Sequence, residues 1–209
     1  MLTRTAARIA LLSLVAAAAT ALAPAAFAGG SVNSLTTTLI GGNCGSTSTP
    51  FGQWGDVRSY YPVPGGDFES AAGPWTLAGG AATIPGNEPY HVRLGSDATS
   101  LLLPAGASAT ASNVCFGLLN PGIRFFAAGV GGPATLHVEI VTRSLLGLLS
   151  VLDGGTVTVA PGWAPTPVFS TAGSQLAMLA GAKTIQLRIS TVSGNAQIDD
   201  VYVDPFCSR

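Results

Sequence analysis

Charge is the first scarcity of this chain. Only 9% of its 209 residues are Asp, Glu, Lys or Arg, with nine basic against ten acidic side chains. So few cations cannot form a basic stripe, which excludes the electrostatic footprint of a nucleic-acid binder. A polybasic patch for anionic lipid is excluded on the same ground. Histidine is scarcer still: His91 and His137 are the only two, so any nucleophile has at most two imidazole bases. No serine lies in a Gly-x-Ser-x-Gly elbow. There are no heptads, tandem repeats or linkers between domains. Disorder is excluded from the other side, because 47% of the residues are apolar.

Long apolar runs are missing as well. The one run, Ile9 through Ala23, is shorter than the ~20 residues needed to span a bilayer. Arg4 and Arg8 precede it, Pro24 breaks it, and Ala26-Phe27-Ala28 supplies small-x-small. That order of basic, apolar and small residues is the signature of a secretory signal peptide over 1–28, and it predicts a secreted, extracellular protein. Gly29 stands where a lipoprotein would carry cysteine. Cleavage there leaves seven basic and ten acidic residues, a net charge of −3, and no membrane attachment. The remainder suits one domain: a flexible leader rich in Gly, Ser and Thr over 29–50, then a single domain over 51–209. Cysteine is limited to Cys44, Cys115 and Cys207, which in an exported chain are disulfide candidates before they are metal ligands. Cys207 lies close to the end, where chains are poorly ordered, so Cys44–Cys115 is the favoured pair. Cys44–Cys207 is the alternative.

What the chain has in plenty is β pattern and turn residues. Thr135 to Arg143 alternates so that Leu136, Val138 and Ile140 share a face. Thr184 to Ile189 repeats the pattern, as does Thr156 to Val159, entered through an expected hairpin turn at Asp153-Gly154-Gly155. Shorter strands are expected at 57–63, 75–77, 100–103, 114–118, 123–127 and 198–204, separated by Pro64-Gly65-Gly66, Ala78-Gly79-Gly80 and Asn120-Pro121-Gly122. Only 174–179 offers a helical turn. About ten strands at regular spacing predict an all-β, two-sheet antiparallel β-sandwich.

Candidate chemistry is sparse. Cys44 in Asn43-Cys44-Gly45-Ser46 echoes part of a thiol-protease signature but lacks its second cysteine and its aromatic residue. Gly129 to Ala134 fits a dinucleotide loop loosely, yet a strand follows where a helix must open, and Pro133 intrudes; a hairpin connection is expected. Among the carboxylates, Asp67 and Glu69 would both face away from Phe68 on a strand. In Ile198 to Asp204, period two puts Asp199 on the face of Val201 and Val203. A carboxylate buried there needs a cation or hydrogen bonds. Calcium, with Glu69 and Asp199 as its ligands, is one outcome; backbone N–H bonds, or a bulge that turns Asp199 to solvent, is the other. Trp75 alternates with core positions and is expected to pack. Trp54 and Trp163 lie in Gly- and Pro-flanked loops where an exposed ring binds ligand, and Tyr90 adds a ring with a polar handle.

The succession "GGDFES", "GPWTLAGGA" and "QIDDVYVDP" resembles carbohydrate-binding-module-type jelly rolls, the galactose-binding-like β-sandwiches. The longer string "FGQWGD…GNEPYHV…SLLLPAGASATAS…VCFGL…RFFA…QIDDVYVDP" is similar to a family of secreted proteins of high-GC Gram-positive bacteria. The first resemblance implies a jelly-roll sandwich with a structural calcium joining Glu69 to Asp199. Fold does not dictate function. The expectation is a secreted, non-catalytic module that binds carbohydrate or a cell-envelope polymer, through Trp54, Trp163 and Tyr90. The alternative is a structural extracellular protein that self-associates through an exposed apolar patch, with Cys207 free to bridge chains. A hydrolase would need a pocket holding His91 or His137 beside a carboxylate.

Overall fold

The computed structural model describes residues 45–112, 114–116, 122–144, 146–170 and 182–204, all within a compact unit spanning Thr36–Arg209. A 3-10 turn over Gly52–Trp54 is followed by ten described strands: β1 Tyr61–Pro62, β2 Trp75–Ala78, β3 Ala82–Pro85, β4 Thr99–Leu103, β5 Ser108–Ser112, β6 Gly122–Ser144, β7 Leu149–Val159, β8 Ala164–Pro165, β9 Phe169–Ser170 and β10 Ala182–Asp204. No described helix is long and apolar enough to cross a membrane. The segments expected to carry a helical turn at 174–179, the signal peptide and most of the leader lie outside the described residues.

Strands β6 and β10 are the frame. They pair antiparallel along nearly their whole length and carry several register breaks, so each serves both layers of the sandwich. In one layer the first part of β10 is flanked by β5 and then β2, while the second part of β6 is flanked by β7. In the other, the end of β10 meets β4 and β1, with β3 beyond β4, and the start of β6 meets β8 and β9. Between the layers lies one core, built from alternate residues as period-two strands require: Leu101 and Leu103, Ala109 and Ala111, Ile123, Phe125 and Ala127, Leu136, Val138 and Ile140, Leu187 and Ile189, and Ile198. The fold is all-β, an antiparallel two-sheet sandwich of jelly-roll type.

Local expectations fare unevenly. Trp75 packs in the core, its indole Nε1 donating to the Pro64 carbonyl at 3.1 Å. The expected turn at Asp153-Gly154-Gly155 is instead a bulge inside β7, where the register slips against Val138 and Glu139. Likewise Gly129–Ala134 is no hairpin connection: β6 runs through it, looping out between Val130, opposite Asn195, and Thr135, opposite Ser193. Both misreadings share a cause, since glycine pairs mark bulges as readily as turns. Residues 57–63 shrink to the two-residue β1 with an isolated bridge at Tyr60. Residues 114–116 form no strand.

Candidate functional site

The aromatic residues singled out from three distant loops converge. Phe126 of β6 points away from the core, opposite its neighbours Phe125 and Ala127, and seeds a second cluster with Phe51, Tyr60 and Tyr202. The Trp54 ring stands edge-on to Tyr90, with centroids 4.8 Å apart, and both pack against Phe126 at 5.3 and 5.6 Å. Trp163 packs on the same cluster. The Tyr90 hydroxyl donates to the Trp163 carbonyl at 2.9 Å, which ties the two loops together. Tyr90 keeps 40% of its surface exposed, while Trp54 and Trp163 are half-buried. The result is a ring-lined rim held from behind.

What holds it is an ion network on the same outer face. The buried Asp56 carboxylate accepts from Arg58, from the Tyr60 hydroxyl and from Arg124, each at 2.7 Å. Arg124 also donates to the Thr166 carbonyl and lies over the Phe51 ring at 4.5 Å. Burial alone would raise the Asp56 pKa, but the hydrogen bonds from Arg58 and Tyr60 outweigh it and hold the carboxyl well below the usual range. This arrangement pins the segment around Trp54 to β6.

The two carboxylates expected to share a cation have separate surroundings. Asp67 and Glu69 lie in turns rather than on a strand, and Phe68 between them has φ 54°. Glu69 Oε1 accepts from the Ala98 and Thr99 amides and the Thr99 hydroxyl. Burial opposes its ionisation, yet these bonds and the nearby Arg93 keep its pKa lowered. Asp199 does not share the face of Val201 and Val203. A bulge at Asp200, φ 47°, shifts the register, so Asp199 pairs with Phe126 on the outer side. It is nonetheless fully buried, because the 86–92 loop covers it. Its two oxygens accept from the Glu88 and Asp200 amides at 3.1 and 2.8 Å.

Around it gathers more carboxylate than sequence reading foresaw. Glu88, Asp97, Asp199 and Asp200 are all buried. Desolvation, and then the charges of neighbouring carboxylates, push Asp199 up to about 8 and Asp200 to about 7. Asp97 is raised by burial and by Glu69, against the opposing charge of Arg93. Among the described residues no three His, Cys, Asp or Glu side chains are arranged to hold a metal ion. Glu69 and Asp199 therefore form no shared ligand set, each carboxylate being held by its own protein donors.

A second surface was missed by sequence reading because it exists only through register. Thr76, Thr110, Arg188, Glu139 and Asp153 form an unbroken row across β2, β5, β10, β6 and β7 on the outer face of one sheet. Arg188 Nε donates to Glu139 at 2.7 Å, and His137 Nε2 lies 3.0 Å from Asp153. His137 thus stands beside carboxylates, on an open strand face rather than in a pocket. A pocket of about 210 Å³ lies behind the Trp163 loop, lined by Ala127, Val157 to Ala160 and Ala164 to Pro167. His91 is exposed, its Nδ1 3.4 Å from the Asn87 amide nitrogen. Cys115 is in a disulfide, whereas Cys44 and Cys207 both lie outside the described residues.

No family model matches the chain, and no curated protein matches it in sequence. Solved structures do. The CBM22-1–GH10 modules of Clostridium thermocellum endo-1,4-beta-D-xylanase 10B, complexed with xylohexaose, match at 17% identity over 68% of this chain and 28% of that one, with a TM-score of 0.50. A xylan-binding domain from carbohydrate-binding module family 22 matches at 17% identity over 74% and 99%, TM-score 0.49. The CBM22-1 xylan-binding domain of a Paenibacillus barcinonensis xylanase matches at 15% identity over 69% and 90%, TM-score 0.49. At such identity the likeness is one of fold alone, the antiparallel jelly-roll sandwich.

Proposed function

We propose that this chain is a secreted, non-catalytic carbohydrate-binding module whose ligand stacks on the rim formed by Trp54, Tyr90 and Trp163. The observation that carries the reading is the convergence of these three rings, from positions far apart in sequence, onto Phe126. Apolar ring faces with polar edges suit the alternating apolar and hydroxyl surfaces of a sugar. The glycan class to test first is xylan, which the fold neighbours bind by name. Isothermal titration with soluble xylan and a panel of other β-glycans tests it. Tyr90→Ala and Trp54→Ala are expected to weaken binding by about tenfold each. Absence of binding to every glycan in the panel, or unaltered binding by both variants, would overturn the reading.

The polar row across the sheet offers a second seat for a glycan, reached through hydrogen bonds instead of stacking. Arg188→Ala separates the two: a loss there, with Tyr90→Ala neutral, moves the site to the strand face.

Calcium remains part of the proposal as a structural ion. Its support is the surplus of buried carboxylate at Glu88, Asp97, Asp199 and Asp200, with Arg93 the cation beside them. Ions of this kind prefer carboxylate and carbonyl oxygens, and binding one between Glu69 and Asp199 would require the ion to draw the two carboxylates out of their separate hydrogen bonds. Cys44 is proposed as the partner of Cys115.

A further inference from the structure

The hairpin joining β6 to β7 leaves apolar surface outside the core. Leu146 is 87% exposed, Leu149 58% and Val151 50%. Strand β7 pairs with β6 on one side, and no described strand lies on its other side. From Ser144 to Leu152 the sequence carries no charge. Open edges are ordinarily guarded by lysine, proline or a covering segment.

We infer that this edge is where a second copy of the chain docks, β7 against β7, antiparallel about a two-fold axis through Ser150. The argument is self-complementarity. With Ser150 opposite itself, Leu149 falls opposite Val151 of the second copy and Val151 opposite its Leu149, so four half-exposed apolar side chains cover one another on one face. Three residues further out, Asp153 of each copy falls opposite Gly147 of the other. The Gly147 carbonyl is where Arg143 Nη1 is held, at 3.0 Å. Asp153 has 76% of its side chain exposed. Unlike charges therefore meet at both ends of the shared ladder, as an isologous contact requires. The bulge at Asp153 to Gly155 ends the ladder, and the two-fold consumes both edges, so the contact closes as a dimer instead of growing into a fibre. The contact is short, placing it among weak, concentration-dependent associations. It does not involve the ring-lined rim, and it shares only Asp153 with the polar row.

Sedimentation velocity over a concentration series of the purified protein tests the proposal. Wild type is expected to shift from monomer to dimer. Val151→Lys and Asp153→Arg should each weaken association by at least about tenfold. Arg143→Asp combined with Asp153→Arg should restore it, since the ends are again of unlike charge. Val192→Lys, at a 61% exposed position elsewhere, is the control and should dimerise as wild type does. Thermal melts keep misfolding apart from lost contact. A protein monomeric at every concentration, a dimer indifferent to Val151→Lys, or a charge swap that fails to restore association would overturn the inference.

Discussion

Asp199 and Asp200 sit side by side in the chain, both buried, and burial raises the pKa of each above the ordinary carboxyl range. An acid whose folded-state pKa is raised binds its proton more tightly when folded. Stability then falls as pH rises from its unfolded value through the folded one. In chelator the melting temperature should therefore drop from about pH 4 to about pH 8, most steeply between about pH 5 and pH 6.5 and levelling off as the folded-state groups ionise. Asp199→Asn, being neutral throughout, should lessen that drop and leave the part that Asp200 contributes. Glu69 acts in the opposite sense: its lowered pKa adds stability that is lost only as the solution becomes acid. If calcium occupies the site, excess calcium should raise the midpoint by several degrees at pH 8, and Glu69→Ala or Asp199→Ala should abolish the gain. A melt indifferent to calcium and level across this pH range would remove the ion from the proposal and contradict the raised pKa values together.

At the scale of the element, β6 and β10 owe their length to irregularities as much as to alternation. A regular ladder of that length would be too stiff to serve two layers, and the bulges supply the bends. Gly129 shows what such a bend demands. A Cβ there would come within 2.2 Å of the Gly132 carbonyl oxygen and 3.2 Å of the Val159 carbonyl oxygen, both backbone atoms that cannot swing aside. Gly129→Ala is expected to cost about 2–4 kcal/mol in a denaturant titration. Gly131 lies in the same excursion, at φ 73° but with nothing within 4 Å of its would-be Cβ. Gly131→Ala should cost only about 1–2 kcal/mol, the price of the left-handed conformation alone. Equal costs would show that the excursion relaxes and the close approach is not binding on the fold.

For the whole molecule, the sequence pattern at the start of the chain carries an expectation that mass spectrometry can settle. The exported protein should begin at Gly29, with Cys44 and Cys115 in one tryptic disulfide pair. A mature chain that retains residues 1–28 would contradict the secretory reading. Should Cys115 pair with Cys207, the leader would be left untethered and the closing strand stapled instead.

Alternation alone determined the class of this protein, because one buried face on every strand is a local property and is written in each segment separately. Leu136, Val138 and Ile140 are core in the sequence and core in the structure. The jelly-roll pattern and Trp75 as a packing residue were legible for the same reason. Register is not local. Whether a glycine pair turns the chain or bulges it depends on which strand lies alongside, and so Asp153 to Gly155 and Gly129 to Ala134 were misread. The bulge at Asp200 moved Asp199 to the opposite face, where period two could not place it. Only the tertiary structure decided that Trp54, Tyr90 and Trp163 meet around Phe126, that Arg188 faces Glu139, and that four carboxyls are buried together. Each of those contacts joins residues tens of positions apart, and strand pairing, which no single segment encodes, sets their distance.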